Sequence, residues 1–338
     1  MRKPLLDALA SHLLCCDGAM GTQLMARGMS SGECGMLWNV NRAADVRAVH
    51  DAYRSAGCDL ITTNSFGGSA SVLGRHGRAD QVRDLNMAAA RLARESAGED
   101  AWVLGDVGPF GDFLEPLGDM TPEELRPIFQ AQIEALLAGG ADAILVETMV
   151  DPAEAVVGIE AAKLASPHAP VIATYAFQKP APGVFRTIMG TTVAEAVERA
   201  VAAGADIVGA NCGTGLDLDD YVLLAGQLVA AAGTVPVILQ PNAGAPQVVG
   251  ADTVYNATPE QMAGHRPAPD GGGVRIIGGC CGTTPAHPEG DGGRRPRRLS
   301  RGTRPDPKPR RAGVDCFPRF RQGRFALTTE PPTRRRTW

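Results

Sequence analysis

Three cysteines in this chain stand where they can act together. Cys280 and Cys281 are adjacent in IIGGCCGTTP, and Cys212 closes the stretch VGANC. Adjacent residues have Cα atoms about 3.8 Å apart, so a vicinal pair can present two thiolates to one metal ion. A third thiolate from elsewhere in the fold completes a soft donor set that selects zinc over magnesium or calcium. With three protein ligands, tetrahedral zinc keeps a fourth position open, which distinguishes a catalytic site from a closed structural one. On these residues alone two other readings stay open. The thiols could be small buried hydrophobes without chemistry, or a redox couple. Cys15, Cys16, Cys34, Cys58 and Cys316 lack a comparable setting. Cys15 and Cys16 fall in an apolar run that reads as core.

A repeated unit explains how Cys212 could reach the vicinal pair. An Ala-rich helical stretch ends in glycine, a short apolar run follows, and a polar residue stands seven positions after the glycine. The pairs are Gly57 and Asn64, Gly140 and Glu147, Gly204 and Asn211, Gly233 and Gln240, and Gly273 and Cys280. Glycine terminates helices because it adopts the left-handed cap cheaply. Four or five apolar residues in a row mark a strand buried on both faces, as in a parallel sheet. Eight such strands are predicted, near 12–16, 58–63, 101–106, 142–147, 170–175, 206–211, 235–240 and 274–279. Strands alternating with helices eight times predict a single-domain (β/α)8 TIM barrel over residues 1–287. A doubly wound open sheet is disfavoured because no G-x-G-x-x-G follows the first strand. In a barrel all strand C-termini open on one face. The spacing therefore gathers Asp17, Asn64, Glu147, Asn211, Cys212, Gln240, Asn242, Cys280 and Cys281 around one mouth.

Five stretches carry a family resemblance: DGAMGTQL (17–24), ITTNSFGG (61–68), ILVETM (144–149), VGANCG (208–213) and GGCCGTTP (278–285). Together they resemble the homocysteine S-methyltransferases. These include betaine–homocysteine methyltransferases and the homocysteine-binding module of cobalamin-dependent methionine synthase. The resemblance runs over about residues 10–287. It implies a (β/α)8 barrel, a zinc ion held by Cys212, Cys280 and Cys281, and methyl transfer to homocysteine. It also implies that Asp17 and Glu147 contact the amino acid.

The chemistry is consistent with that resemblance. Homocysteine's thiol is mostly protonated at neutral pH, and the thiolate is the nucleophile. Its ammonium needs acceptors, and Glu147 and Asp17 are the natural ones at such a mouth. Backbone amides of GAMGT (18–22) are candidates for its carboxylate. Asn64 is a further substrate-binding candidate whose competing role, shared with Asn211, is to brace loops. The methyl donor is not legible: betaine-like compounds, S-methylmethionine and methyl-corrinoid or methyltetrahydrofolate all stay open. A corrinoid route needs a partner protein, because the chain has no room for that module. A non-catalytic homocysteine- or zinc-binding module of a larger assembly is the alternative.

Composition sets the outer limits. Of 338 residues 44% are apolar, with 41 Gly but only 4 Tyr and 3 Trp, which suits an α/β enzyme. No apolar run reaches the ~20 residues of a membrane span. The N-terminal MRKPLLDALASHLLCC is interrupted by Asp7, Ser11 and His12, so it reads as a helix leading into a strand rather than as an export signal. A cytoplasmic location with reduced cysteines is therefore expected. The net charge of −4 conceals an asymmetry. Residues 288–338 hold 14 Arg and 1 Lys against 5 acids, while the rest of the chain is acidic. That Arg/Pro-rich tail is expected to be disordered. It lacks the aromatic interleaving of a nucleic-acid site, so no nucleic-acid or membrane partner is expected. The tail supplies no amphipathic helix to cover the last strand, and Pro267 and Pro269 spoil the helix before it.

Overall fold

The computed structural model describes residues 2–250, 252–265 and 273–289. Eight strands form one parallel sheet. They are β1 (Leu14–Cys15), β2 (Leu60–Thr62), β3 (Trp102–Val107), β4 (Ala143–Met149), β5 (Val171–Tyr175), β6 (Ile207–Asn211), β7 (Val237–Gln240) and β8 (Val274–Ile277). The order around the sheet is β1-β8-β7-β6-β5-β4-β3-β2. A parallel bridge between Cys16 and Leu60 joins the two ends and closes the barrel. All eight overlap the runs predicted from the sequence, five of them marked by the glycine spacing.

The local reasons are visible at the helix ends. Helices α1 (Ala43–Ser55), α2 (Val82–Ala97), α3 (Pro122–Gly139), α4 (Pro152–Ala165), α5 (Val193–Ala203), α6 (Leu218–Ala232) and α7 (Pro259–Gly264) follow β1 to β7 in turn. Thr121, Thr192, Asp217 and Thr258 each open a capping box with the residue three positions on. Gly140 and Gly204 close their helices in the left-handed region, at φ 109° and 105°. Gly233 departs from that pattern, with φ 61° but ψ −104°.

Register is fixed from below by a device the glycine spacing alone does not reveal. In AGCD, GGAD and AGAD, the aspartate two residues after glycine starts β2, β4 and β6. Asp59 accepts from the Cys15 amide at 2.8 Å, Asp142 from Val103 at 2.7 Å, and Asp206 from Val171 at 2.8 Å. In return, the backbone amides of the same three aspartates donate to the carbonyls of the same three residues. Each of these three strands thereby grips the odd strand before it by two hydrogen bonds. Because a one-residue slip would turn every side chain to the other face, these clamps determine which residues reach the mouth.

Leu60, Leu104, Leu145, Ile172, Ile207, Ile238 and Ile276 form one buried cluster with Leu5, Ala8 and Leu9 of the short helix Leu5–Leu9. A larger buried cluster joins β3–β7 to α3–α6. Among the described residues coverage thins at the last strand, where α7 has six residues and the four-residue helix Ala286–Glu289 follows β8. An apolar cleft lies here, lined by Cys15, Leu239, Met262 and Ile277 among others. The segment around Pro267 and Pro269 and the tail beyond Glu289 lie outside the described residues. Among the described residues no helix is long and apolar enough to cross a membrane.

Candidate active site: three thiols and three carboxyls

A cavity of about 410 Å3 opens among the strand C-termini, and Asn64, Asp106, Glu147, Cys212, Cys280 and Cys281 are among its lining residues. That volume is within the range of small-ligand sites. The Sγ atoms of Cys212, Cys280 and Cys281 all lie within 4.8 Å of one another. Sulfurs bound at 2.3 Å around a tetrahedral centre stand roughly 3.8 Å apart, and the Cys280–Cys281 separation is 3.9 Å. The donor set and its spacing fit a thiophilic metal such as zinc.

The thiols are set by backbone. The segment after β7 acts as a template: Gln240 O accepts from Cys212 N at 3.3 Å, Pro241 O from Cys280 N at 2.7 Å, and Ala243 N donates to Cys281 O at 2.9 Å. Gln240 and Asn242, which the spacing gathers at the mouth, thus belong to the segment that holds the thiols in place. Cys212 has φ 52°, one of two non-glycine residues in the left-handed region among the described residues; the other is Thr148, at φ 60°. Strained backbone of this kind costs on the order of 1–3 kcal/mol and collects at functional sites. The Tyr221 hydroxyl donates to the Cys212 carbonyl and fixes that conformation.

The glycines beside the cysteines have steric causes. A Cβ on Gly278 would lie 2.8 Å from Cys16 Cβ and 2.9 Å from Asp17 O. Gly282 has φ +78°, and a Cβ there would meet the Tyr255 ring at 2.3 Å. Tyr255 in turn hydrogen-bonds the Cys281 thiol. The three thiols share their protons. Hydrogen bonds from Cys280 and Cys281 hold the Cys212 thiol far below its ordinary value. Their bonds to Cys212 push Cys280 and Cys281 upward.

Three buried carboxyls stand at or just beyond the ends of β1, β3 and β4; Asp106 and Glu147 line the cavity with the thiols, and Asp17 lies outside its lining. Burial raises Glu147 to about 7 and Asp17 to about 7. Burial and the neighbouring Glu147 raise Asp106 well above the carboxylate range. Glu147 lines the cavity and accepts from Asn211 Nδ2 at 3.1 Å. Asn211 is the link between the two groups. Its Nδ2 also approaches Thr148 Oγ1 at 2.7 Å and Cys280 Sγ at 3.9 Å, while its Oδ1 accepts from Thr148 N at 3.0 Å.

Asp17 is 2% exposed and is engaged by its own scaffold. Its oxygens accept from Thr62 N and Thr62 Oγ1, both at 2.7 Å, and from the Cys16 thiol at 3.4 Å. Asn64 lines the cavity, but its Nδ2 donates to Gly35 O and Asn39 Oδ1, both at 3.0 Å, bracing the β1 and β2 loops. The Ala19 amide of GAMGT is already committed to Thr283 Oγ1 at 3.0 Å. Cys16 and Cys58 are fully buried and Cys34 nearly so; among the described residues none of them joins the trio, although Cys34 lines the same cavity. Asp106 and Thr148 are the residues that sequence reasoning missed. A lone acid inside the apolar run WVLGDVGP was the available signal, but its glycine, Gly98, stands eight positions back rather than seven.

The family model for homocysteine S-methyltransferase matches residues 14–288. The chain is 33% identical over 304 residues to a methionine synthase of Mycobacterium tuberculosis (strain ATCC 25618 / H37Rv), covering 84% of this chain and 24% of that protein. For the methionine synthase of Mycobacterium leprae (strain TN) the identity is 32%, with the same coverage of 84% and 24%. The chain therefore spans about a quarter of the length of these curated relatives. Among solved structures, the metallated form of the homocysteine methyltransferase MmuM from Escherichia coli is similar with a TM-score of 0.65 and 25% identity. That match covers 85% of this chain and 98% of the MmuM chain. Its oxidized form gives a TM-score of 0.66 at 25% identity, covering 86% and 99%.

Proposed function

The chain belongs to the homocysteine S-methyltransferase family, and from that premise we propose that it methylates the thiol of homocysteine to give methionine, with zinc as its metal. The observation that carries this reading is the meeting of Cys212, Cys280 and Cys281 within 4.8 Å at one wall of a cavity. Cys212, Cys280 and Cys281 are the residues that would hold zinc. Bound there, the ion supplies an open coordination position and enough positive charge to ionise a substrate thiol at neutral pH.

The chain's own residues supply orientation. Glu147 accepts the ammonium of the amino acid, and Asn211 fixes that carboxylate while contacting the thiol side. Asp17 holds β2 against β1 and adds negative potential behind Glu147. In the reaction a sulfur–carbon bond forms as the methyl–donor bond breaks. The bonding electrons leave with the donor, and the thiol proton goes to water. No side chain near the thiols is needed as a base.

A second reading has its own support. The relatives named methionine synthase are about four times longer than their match to this chain, so the barrel could instead be the homocysteine-binding module of a larger assembly, with a methyl-corrinoid protein as partner. Methionine formation from homocysteine, assayed with betaine, S-methylmethionine, methyltetrahydrofolate and methylcobalamin, tests both. Turnover with a small free donor supports the stand-alone enzyme. Homocysteine binding without turnover on any donor supports the module. Absence of both homocysteine binding and turnover would remove the proposal.

A further inference from the structure

We infer that Asp106 is a second carboxylate that grips the ammonium of the substrate, alongside Glu147. This rests on homocysteine being the ligand and adds a residue that determines which thiols the site accepts.

Asp106 lies near the C-terminal end of β3, is 3% exposed and lines the cavity. Its carboxyl hydrogen-bonds that of Glu147, yet its Oδ1 has no hydrogen-bond partner. A buried acceptor left without a partner carries the full desolvation penalty of the group. Here the chain spends further structure on holding it in place. Asp106 N donates to Thr63 Oγ1 at 2.9 Å. Asp106 O accepts from Ser65 Oγ at 2.7 Å and from Gln132 Nε2 at 3.3 Å. Thr63 Oγ1 and Ser65 Oγ are themselves hydrogen-bonded at 2.6 Å. Ser65 and Gln132 are completely buried. Three polar contacts, braced by a fourth between Thr63 and Ser65, therefore fix the backbone that carries a single unpartnered oxygen.

The surroundings decide what that oxygen is for. Asp17, Glu147 and Asp106 repel one another, and among the described residues no lysine or arginine lines the cavity. Buried carboxyls without a counter-cation are costly unless a ligand brings the charge. A primary ammonium brings one positive charge and three N–H donors. Glu147 already spends one oxygen on Asn211, so it cannot satisfy three donors alone. The free oxygen of Asp106 supplies the missing acceptor. The ligand class is thus a thiol bearing an α-ammonium, as opposed to a thiol acid without one.

The test is calorimetric binding to the zinc-loaded full chain, with L-homocysteine and with 4-mercaptobutanoate, which keeps thiol and carboxylate but lacks the ammonium. Asp106→Asn and Asp106→Ser are compared with the parent chain, and zinc content and melting temperature are recorded for each. The expected result is a roughly tenfold or greater loss of homocysteine affinity in both variants, with 4-mercaptobutanoate bound as before or more tightly, and zinc retained. Three results would overturn the inference: homocysteine affinity unchanged, both ligands weakened equally, or a parent chain that binds the two ligands alike. A parent chain that binds neither ligand would instead bring down the homocysteine reading, and this one with it.

Discussion

On one side of the cavity three thiols come from the ends of two strands and are set through backbone hydrogen bonds to a third, the segment Gln240–Ala243. By contrast, three carboxyls, two of them in the cavity lining, come from three strands and are set by both side-chain and backbone partners, among them Thr62, Asn211 and Thr63. The difference separates two tasks. A metal demands fixed distances, and backbone templating delivers them whatever the neighbouring side chains are. Recognition of an ammonium needs acceptors whose number and charge can be adjusted one residue at a time. The thiol side should therefore fail all at once, and the carboxyl side by degrees.

The largest effect expected is on the thiol side. Replacing any one of Cys212, Cys280 or Cys281 by Ser should cost most of the bound zinc and essentially all methionine formation, because a hydroxyl is a poor substitute for a thiolate. Cys34→Ser and Cys58→Ser, outside the group of three thiols that meet, should keep zinc at about one per chain. Metal analysis after purification under reducing conditions reads this. Equal zinc loss from Cys58→Ser would erase the distinction drawn above.

On the carboxyl side, Glu147→Gln keeps shape and removes charge. A hydrogen bond to a charged group is worth about 1.5–3 kcal/mol, so homocysteine affinity should fall roughly tenfold or more with zinc content intact. A variant that loses both together would show that the two sides are one cooperative unit.

The smallest effect sharpens the comparison from outside the cavity. Glu154, in the first turn of α4, is buried and accepts from Phe110 N at 2.7 Å. Burial raises it from 4.5 to about 7, as for Glu147. A raised carboxyl binds its proton more tightly when folded, so its stabilising contribution is complete below pH 4.5 and is lost as pH rises towards 7. Glu154→Gln should flatten the fall in unfolding free energy across that window by roughly 1–3 kcal/mol, leaving homocysteine affinity unchanged. Denaturant titrations from pH 4.5 to 7.5 read the slope; an unaltered slope would show that Glu154 is not held protonated by the fold.

The sequence made the thiol side legible and left the other side partly hidden, for physical reasons. Each of the glycines at 57, 140, 204, 233 and 273 has positive φ, so the seven-residue spacing reflects a real chain reversal before each strand. That spacing placed Cys212 and Cys280 at one mouth correctly. The aspartates that fix register sat in the same repeats and went unread, because their partners are backbone amides on other strands. Asp106 escaped because its strand starts one residue later after the turn. Asp17 and Asn64 were recognisable as mouth residues, but only the structure shows their polar atoms occupied by Thr62, Gly35 and Asn39. Strain at Thr148 has no signature in the residue type at all.

The central claim is that three thiolates leave one metal position for the sulfur of homocysteine. Zinc K-edge X-ray absorption of the zinc-loaded chain, before and after addition of L-homocysteine, measures this directly. The account predicts three sulfurs and one lighter atom at first, and four sulfurs once homocysteine is added. A sulfur count that does not change on addition, or a zinc held chiefly by nitrogen and oxygen, would contradict it.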